Sequence, residues 1–594
     1  MPLINRATSL RIRRLFRRRK RQVEGIGSVA DEHLDKHLFR RLLRLVHVRR
    51  FVIGWICLVA LLLLVVVLQT KDMNTHYKKP TPVAGGSFTE GIIGSFTTAN
   101  PIYATNSVDT SASRLIFAGL LKYDGKSNLV PDLAEKMTID DNKEVYTLTL
   151  RPNLKWHDGK PLTAKDVAFT YKLIQNPEAR SYLQSSWRGI DVNAVDDRTV
   201  TFKLPSKLSA FPHSLVTGIL PEHILGKTQA DQLRSNSFNT VRPIGAGPFK
   251  FDRVQVTGDG NAREESLGLV AFDDYHSGRP KLNRFVIKTF KDEDKLVDSY
   301  KQKQIDAMAS LSTLSDEFSD DITTQELSPK TLGETMVFFK TTQPPLNDVI
   351  VRNALALGAN RQQILEALPY PLAIAEEPLL KSHVGYNKAY AQATGNQAQA
   401  NALLDSAGWV KDPTSGLRSK GGAPLKLRLI SQANSEYASV TQSLQKQWRD
   451  IGVDAQVSLQ SEQELQSSVS QHSYDALLYA ISLGPDPDVF AYWHGSQADV
   501  RSETRLNFSE YQSSVANEAL EGGRTRADDA VRATKYRAFL EAWQKDAPGL
   551  VLYQPRYLYV VRSPFYGFDV GTVVSAADRY SHVESWMVKE ENRY

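Results

Sequence analysis

Residues 425–457 read LKLRLISQANSEYASVTQSLQKQWRDIGVDAQV, and their hydrophobic pattern changes twice. From Leu425 to Leu429, leucines alternate with charged residues, which predicts a half-buried strand. The next apolar residues follow helical spacing: Tyr437, Val440, Leu444, Trp448 and Ile451. Gly452 ends this helix, and alternation resumes from Val453 to Val457. A strand, a helix and a second strand in this order form one α/β crossover unit, so the stretch predicts an α/β fold.

Two further stretches show the strict alternation of half-buried strands. They are YTLTLR at residues 146–151 and TVTFKL at residues 199–204. The chain has 594 residues, far more than one ordinary core holds, so we expect three or more globular units. We find no tandem repeat. The pattern of strands and helices favours two α/β lobes with additional mixed β structure.

Positive charge is concentrated at the N-terminus. Residues 1–50 contain 15 Lys and Arg against 4 Asp and Glu, a net charge of +11. The whole chain has a net charge of +7, which leaves residues 51–594 with a net charge of −4. This mildly acidic main part gives no electrostatic reason to expect a nucleic-acid partner.

An apolar run follows the basic segment directly. The 18 residues from Phe51 to Leu68 carry no charge and would span about 27 Å as a helix, enough to cross a bilayer core. Arginines crowd the N-terminal side of the run, and this asymmetry places the N-terminus in the cytoplasm and the main part outside. We therefore expect a single-pass anchor in the cell membrane, followed by a stalk at residues 71–86.

Other interpretations of the N-terminal region remain open. A cleaved secretory signal is the rival of the anchor, but the run exceeds the roughly 7–15 residues of a signal's apolar region and lies behind a long preface. Cys57 does not fit a lipoprotein, because the residues before it are bulky. Beyond setting topology, the basic segment could adhere to the anionic inner leaflet or make a specific contact with a protein or nucleic acid.

The sequence lacks the common enzyme signatures. It contains no HExxH, no GxSxG, no P-loop, and no GxGxxG that opens a helix after a strand. Cys57 is the chain's one cysteine, which excludes an intramolecular disulfide and a multi-cysteine metal site. We expect no catalytic residue, no metal and no cofactor.

Short motifs along residues 85–594 follow one another in an order known from one family. They are GSFTEG (86–91), ANPIY (99–103), LLKYD (120–124), LVPDLAE (129–135), KWHDGKPLTAKDV (155–167), GILPEHIL (218–225), PIGAGPF (243–249), VRNALA (351–356) and GPDPDV (484–489). Together they resemble the extracellular solute-binding proteins of family 5, the large peptide- and nickel-type receptors that feed ABC importers. So many ordered matches do not arise by chance.

The resemblance implies an α/β fold: a two-lobed, periplasmic-binding-protein-like clamshell of type II with an extra subdomain, plus one N-terminal transmembrane helix. The implied division is a basic cytoplasmic segment (1–50), a transmembrane helix (51–70), a stalk (71–86), lobe I (87–335) with the extra subdomain at about 116–240, lobe II (336–545), and a C-terminal return to lobe I (546–594).

Most of these motifs also have a purely structural interpretation. In KWHDGKPLTAKDV, the Asp-Gly pair predicts a tight turn, and Thr163 with Asp166 resembles a capping box that starts a helix. In PIGAGPF, the glycines predict a backbone crossing, with ligand contact near the hinge as the alternative.

The resemblance places a ligand between the two lobes. In lobe I the matching residues are Ala99, Asn100, Pro101 and Tyr103, with Tyr182 and Trp187 expected near the mouth. In lobe II they are Tyr479, Ala480, Ile481, Ser482, Leu483, Gly484, Pro485 and Asp486, followed by Trp493 and Asn507. Aromatic side chains suit such a site because they offer a large contact area with few rotatable bonds, although each one also fits a core position.

The chain departs from the peptide receptors at both charged ends of the ligand. Their amine-binding carboxylate stands three residues before an Asp/Glu-Pro pair, and this position falls here on Leu483, or on Gly484 with one gap. The arginine with which dipeptide receptors hold a C-terminal carboxylate falls on Tyr437 or Ala438. Strict recognition of free dipeptide termini is therefore disfavoured, and oligopeptides held by backbone hydrogen bonds, or neutral sugars, fit better.

Asp486 and Asp488 are the acids that could take over the amine-binding role. They flank Pro487, so the favoured interpretation is that they form a turn. Ligand contact by Asp486 remains the alternative.

The resemblance implies a monomeric substrate-binding protein that closes its lobes over an oligopeptide or related solute. It would deliver this solute to ABC permease subunits with cytoplasmic ATPases. The alternative is a membrane-anchored solute sensor or scaffold that signals through the basic cytoplasmic segment. An extracellular hydrolase would need a nucleophile and a base that we cannot assemble from the sequence.

Overall fold

The computed structural model describes residues 49–76, 79–258, 264–311, 318, 321–368, 372–499, 501, 505–526 and 528–593. The chain divides into two compact units. The first runs to Thr81 and includes Glu591–Tyr594, and the second is Pro82–Glu590. The basic segment predicted to be cytoplasmic lies outside the described residues, apart from Arg49 and Arg50.

The first unit contains a long apolar helix, Arg49–His76. Its segment Phe51–Lys71 has a mean hydropathy of 3.3 and is exposed, and by length and composition it could cross a membrane. The helix extends beyond its predicted end because neither Pro nor Gly interrupts residues 71–76. Part of the predicted stalk, Lys79–Val83, is a strand paired with Lys589–Arg593, and its prolines suit an edge strand.

In the second unit, a seven-stranded sheet forms the centre of lobe I. In sheet order its strands are Thr324–Glu326, Leu558–Arg562, Ala307–Leu311, Ser87–Ile93, Arg284–Phe290, Glu264–Ala271 and Phe249–Thr257. The central strand Ser87–Ile93 is parallel to both of its neighbours. Its Phe88 and Ile92 are fully buried, and the helices Ser107–Ile116 and Glu293–Lys301 pack on it.

The extra subdomain contains a four-stranded antiparallel sheet. In sheet order its strands are Ala134–Ile139, Val145–Leu150, Thr199–Lys203 and Asp191–Ala194. Both strands predicted from alternation are confirmed, and they pair with each other with Leu148 opposite Val200. These two side chains are fully buried, and helix Ala164–Gln175 packs on the sheet.

The KWHDG and PIGAGPF motifs stabilise local structure, as predicted. Gly159 has a φ of +85° in the turn, and its N–H donates to the Trp156 carbonyl at 2.8 Å. The Asp166 carboxylate accepts the N–H of Thr163 at 2.9 Å, which completes the capping box. A Cβ on Gly245 would lie 1.9 Å from a carbonyl oxygen, so close backbone approach requires this glycine.

A six-stranded sheet forms the centre of lobe II. In sheet order its strands are Ala373–Ile374, Gly549–Gln554, Gly333–Phe339, Ala476–Ser482, Lys426–Gln432 and Asp454–Gln460. The last two strands are parallel and are joined by helix Ser435–Asp450, so the predicted crossover unit is confirmed. The Asn434 side chain caps the helix, and Gly452 follows its end with a φ of +89°.

Helices and short strands complete both lobes. The other helices are Glu222–Leu225, Val349–Gly358, Arg361–Glu366, Gln397–Ser406, Glu462–Ser470, Phe490–Trp493, Ser514–Thr525 and Asp529–Asp546. Short strands pair Leu121–Tyr123 with Leu129–Pro131, and Arg418–Lys420 with both Val410–Lys411 and Ala423–Pro424. Hydrophobic side chains cover both faces of the lobe II sheet.

Residues 327–332 and 555–557 connect the two lobes, and we call this pair of segments the hinge. The N–H groups of Tyr557 and Thr331 donate to carbonyls of the opposite segment at 2.9 and 3.0 Å. The two crossing segments are therefore bonded to each other as well as to their lobes.

One hinge segment lies before the predicted lobe boundary at 335/336, and the other lies after the predicted boundary at 545/546. Strands Gly333–Phe339 and Gly549–Gln554 both belong to the lobe II sheet. Lobe II therefore begins earlier, and the chain returns to lobe I later, than the predicted boundaries place them.

Candidate functional site

Residues 479–486, which we call the site segment, leave the lobe II sheet next to the hinge. The segment begins in strand Ala476–Ser482. Beyond the strand, the N–H groups of Leu483 and Gly484 both donate to the carbonyl oxygen of Leu332, at 2.9 and 3.2 Å. Gly484 has a φ of +68°, a conformation that favours glycine. The backbone of the site segment is thus bonded directly to the hinge.

A cavity of about 830 Å³ lies in lobe II beside the site segment, and we call it the lobe II cavity. The predicted site residues in its wall are Tyr479, Ala480, Ile481 and Ser482. Strands Lys426–Gln432 and Ala476–Ser482 are parallel, and the C-terminal residue of each lines the cavity. Because α/β folds bind ligands outside the carboxyl ends of parallel strands, this position makes the cavity a candidate binding site.

Asp486, the last residue of the site segment, is held by an ion pair. Nη2 of Arg532 lies 2.7 and 2.9 Å from its two carboxylate oxygens, and both side chains are largely buried. Oδ1 of Asp486 also accepts the N–H of Asp488 at 3.0 Å, which closes the turn around Pro487. The turn is thus formed as predicted, and Arg532 compensates the charge of Asp486.

Asp488 is compensated in the same way. Its carboxylate lies 3.1 Å from Nη2 of Arg524. Burial raises the pKa of Asp488, and the charge of Arg524 opposes this shift. The two acids around Pro487 therefore each have an arginine partner.

His383 positions the carbonyl of Gly484. Its Nδ1 accepts the N–H of Leu380 at 3.2 Å, so Nε2 carries the hydrogen and donates to the Gly484 oxygen at 2.8 Å. Burial lowers the pKa of His383 to about 4, which keeps the imidazole neutral at pH 7. The contact therefore orients the site segment without adding a charge to it.

Two carboxyl groups are buried near each other in lobe II, and one of them lies next to the site segment. Glu334 lies opposite Ile481 in the sheet and is 1% exposed, and Glu377 is fully buried. Burial raises the pKa of Glu334, with a contribution from the charge of Glu377, and it raises the pKa of Glu377 to about 8. Burial thus disfavours the charged form of both carboxyl groups.

In lobe I, the first loop directs its polar groups into the protein. Ala99 donates its N–H to the Asn239 carbonyl at 2.7 Å, and the fully buried Asn100 donates its side-chain amide to Oδ1 of Asn239 at 2.9 Å. The Tyr103 hydroxyl donates to the Ala179 carbonyl at 2.7 Å. These three predicted site residues fasten the loop to the subdomain.

Pro101 and Tyr182 line a smaller cavity of about 150 Å³ in lobe I. Tyr182 is 54% exposed, and its place near the mouth stays a prediction. Arg114 also lines this cavity and is paired with Asp578 at 2.6 Å.

The other predicted site residues lie in the cores of their lobes. Trp187 is 1% exposed and stacks on Tyr171 with ring centroids 4.0 Å apart, so it packs inside the subdomain and does not line the mouth. Trp493 is fully buried and stacks on Phe338 at 5.4 Å. Asn507 is fully buried and donates its side-chain amide to two backbone carbonyls, at 3.1 and 2.9 Å.

The two lobes also touch away from the hinge, at a contact that we call the latch. The N–H and hydroxyl of Ser209 in lobe I donate to the carbonyl oxygen of Arg524 in lobe II, at 3.1 and 3.0 Å. Arg524 lies in the last turn of helix Ser514–Thr525, where carbonyls lack partners within the helix. The latch thus satisfies a helix end and joins the lobes.

The site segment faces lobe I across the cleft. Tyr123 and His213 of lobe I are hydrogen-bonded to each other at 3.1 Å. Burial raises the pKa of Tyr123, and the charge of Asp486 adds to this shift. Burial lowers the pKa of His213, and the charge of Asp486 opposes this shift. Asp486 is therefore close enough to both rings to act on them electrostatically.

Sequence reasoning missed Arg532, His383 and Ser209. Their partners in the site segment and the latch lie 46, 101 and 315 positions away along the chain. We find no local pattern that signals such pairings. Among the described residues, no group of three or more His, Cys, Asp or Glu is placed to hold a metal ion.

Comparison with known families gives a match over most of the chain. The sequence model described as "Bacterial extracellular solute-binding proteins, family 5 Middle" matches residues 128–502. This match covers most of the extra subdomain, the hinge segment 327–332 and most of lobe II, including the site segment.

Individual relatives agree with this match. The chain is 27% identical over 501 residues to the oligopeptide-binding protein AppA of Bacillus subtilis, covering 82% of this chain and 90% of that protein. The structure of AppA in complex with a nonapeptide has a TM-score of 0.67 at 25% identity, covering 86% of this chain and all of that one. NikZ from Campylobacter jejuni in complex with Ni(L-His) has a TM-score of 0.70 at 25% identity, covering 84% and 99%. The predicted two-lobed architecture of type II is thereby confirmed.

Proposed function

This chain belongs to the bacterial extracellular solute-binding proteins of family 5, and we propose on this premise that it binds an oligopeptide between its lobes for an ABC importer. One observation carries the proposal. The site segment is bonded to the hinge at Leu332, borders the lobe II cavity and faces lobe I. A ligand seated there would contact both lobes and the element about which they close.

An oligopeptide fits the size of the site. The lobe II cavity alone measures about 830 Å³, within the range of roughly 300–1,000 Å³ that is typical of sites for whole small molecules. It lies on one side of the site segment, and the Pro101 and Tyr182 cavity lies in the other lobe. The relative AppA is an oligopeptide-binding protein, which supports the same ligand class.

Neither acid around Pro487 offers a free carboxylate to a peptide amine. Asp486 and Asp488 are paired with arginines, and burial disfavours the charged form of Glu334 and Glu377. We therefore propose that the peptide is held mainly by its backbone and side chains. The terminal charges of the peptide would contribute little to its affinity.

Delivery to a permease is favoured over sensing. Family members are solute-binding transport proteins, and a binding protein of this kind implies membrane-embedded permease subunits with ATPases on the cytoplasmic side. We infer that this chain acts in the same way, as a monomer without chemical conversion of its ligand.

We propose that helix Arg49–His76 anchors the protein in the membrane with its large unit outside. The exposed, apolar segment Phe51–Lys71 and the arginines that precede it support this topology. Protease added to intact cells should remove the large unit and spare the N-terminal peptide. Recovery of the large unit in the medium, cut from the helix by the cell itself, would show that the segment is a cleaved signal.

The ligand class is tested on the full-length chain purified in detergent. Native mass spectrometry should find co-purified peptides, and calorimetric titration with those peptides should give saturable binding. Binding of a sugar or a metal complex in place of peptides would overturn the proposal.

The role of the amine is tested with matched free and N-acetylated peptides. Acetylation should change the affinity by less than about threefold, because losing a charge-assisted hydrogen bond would cost on the order of 1.5–3 kcal/mol, or about ten- to a hundredfold. A hundredfold preference for the free amine would show that an acid does pair with it.

A further inference from the structure

Side chains of a helix line the lobe II cavity together with the site segment. Helix Glu462–Ser470 contributes Leu465, Gln466 and Val469 to the wall. The volume of about 830 Å³ leaves room for a large side chain.

Aromatic rings line this cavity and are themselves held rigidly. Tyr479, Tyr492 and Phe508 contribute to the wall. Phe508 meets Tyr479 edge-on with centroids 5.6 Å apart, and on its other side it meets the buried Phe338 at 5.2 Å. The Tyr492 hydroxyl donates to the Ser482 carbonyl at 2.8 Å. Rings fixed in this way offer contact area without a large loss of side-chain entropy on binding.

The cavity wall contains two charged residues, of which Arg505 is held by other groups of lobe II. Arg505 donates to the Ser470 carbonyl at 2.8 Å and lies 3.7 Å from Glu510. Glu462 is exposed at the first turn of its helix, where the helix N-terminus favours a negative charge. The remaining polar groups are neutral, and they include the side-chain amides of Gln432 and Gln466.

We propose that the lobe II cavity is a side-chain subsite that selects an uncharged aromatic residue of the bound peptide, Trp or Tyr. The inference rests on the proposed peptide-binding function and adds a specificity to it. Fixed rings favour an aromatic guest, and the neutral amides can bond its indole N–H or phenol hydroxyl.

The test uses the full-length chain in detergent and hexa-alanine host peptides that carry one guest residue at each position in turn. At one position, Trp and Tyr guests should bind about tenfold tighter or more than Ala, Lys and Asp guests, as expected for burial of a large aromatic side chain. The affinities are measured by calorimetric titration.

A matched pair of variants locates the effect. Gln466→Trp places an indole in the cavity, whereas Gln463→Trp makes the same change at an exposed residue of the same helix that does not line the cavity. Gln466→Trp should abolish the preference for Trp and Tyr guests, because the introduced indole fills the space of the guest side chain. Gln463→Trp should keep the full preference. Val469→Trp is the second cavity-filling variant, used if the first does not fold.

The outcomes separate the two proposals. If the wild-type chain binds the hosts equally well with every guest, or prefers Lys or Asp, the aromatic subsite is wrong and peptide binding stands. The subsite is also wrong if the aromatic preference survives in a folded, cavity-filled variant. If the wild-type chain binds no host or guest peptide, both proposals fail.

Discussion

In lobe I the predicted residues Asn100 and Tyr103 bond the protein's own backbone and side chains, whereas in lobe II Tyr479 and Ser482 line a cavity of about 830 Å³. The same resemblance predicted both sets. The difference teaches that a matching motif places a segment beside the cleft, while burial decides whether its side chains can reach a ligand. The first loop of lobe I acts as a support, and the site segment of lobe II presents a surface.

The buried ion pairs of the two lobes also differ in how far they are exposed. In lobe I, Glu90 and Arg579 form an ion pair that is 0% and 1% exposed. In lobe II, Asp486 and Arg532 form a pair that is 10% and 7% exposed and acts electrostatically on lobe I. We expect a change in the Glu90–Arg579 pair to lower stability alone. A change in the Asp486–Arg532 pair should mainly lower stability and should affect peptide affinity to a smaller extent.

Removal of Arg579 should have the largest effect on stability. In Arg579→Met, Glu90 loses its 2.8 Å partner in a fully buried setting, which should cost about 3–5 kcal/mol. Urea unfolding measures this loss, and peptide affinity per folded molecule should stay unchanged. Arg279→Met, which removes a 44% exposed partner of Asp273, is the control and should cost less than about 0.5 kcal/mol. Lower peptide affinity in Arg579→Met at wild-type stability would contradict the expectation that this pair affects stability alone.

Asp486→Asn tests the lobe II pair. The change leaves Arg532 with a weaker acceptor and should cost about 2–3 kcal/mol, because both side chains are largely buried. The melting temperature should fall, and the affinity for peptide should change by less than about threefold. A fall in affinity at an unchanged melting temperature would instead identify Asp486 as a ligand contact.

The buried acid Glu377 should make lobe II sensitive to alkaline pH. Its pKa is raised to about 8 in the folded protein, so the native state keeps a proton that the unfolded chain releases near its ordinary value of 4.5. Stability should therefore fall as the pH rises from 4.5 to 8. Glu377→Gln should flatten this dependence and stabilise the protein by about 1–2 kcal/mol at pH 8.

Thermal melts at pH 5 and pH 8 measure this effect. The exposed Glu541, changed to Gln, is the control and should leave the pH dependence of the wild type intact. An equal pH dependence in Glu377→Gln and the wild type would show that this carboxyl does not hold its proton in the folded state.

The latch should give the smallest effect. Ser209→Ala removes the hydroxyl bond to the Arg524 carbonyl and keeps the backbone bond, so the closed arrangement should lose about 1 kcal/mol. Peptide affinity should weaken about fivefold at an unchanged unfolding midpoint, with Ser206→Ala as the exposed control. Equal affinity for Ser209→Ala and the wild type would mean that the latch does not contribute to closure.

The sequence predicted the parts of the fold that depend on local pattern. The crossover unit at residues 425–457, the two alternating strands of the subdomain and the Thr163 capping box all follow from spacing within a few residues. The lobe boundaries in the structure differ from the predicted ones, because the sheet to which a strand belongs depends on its pairing with distant segments of the chain.

The site was predictable only in outline. Placing residues 479–486 beside the cleft needed the family motif, but the burial of Trp187 against Tyr171 depends on tertiary packing that periodicity does not encode. The pairing of Asp486 with Arg532 joins residues 46 positions apart, and the cavity wall combines five separate stretches of chain. Such features depend on how distant elements pack, and no local sequence pattern indicates them.

The contact between the site segment and Leu332 has a bearing on how such receptors diversify. The two donors at this carbonyl are backbone N–H groups of Leu483 and Gly484, and every residue type except proline carries such a group. Mutations there can exchange the side chain presented to the ligand while the link to the hinge persists. The positive φ of Gly484 disfavours other residues at that position. At the other positions of the site segment, substitutions can change ligand preference during evolution without preventing closure of the lobes.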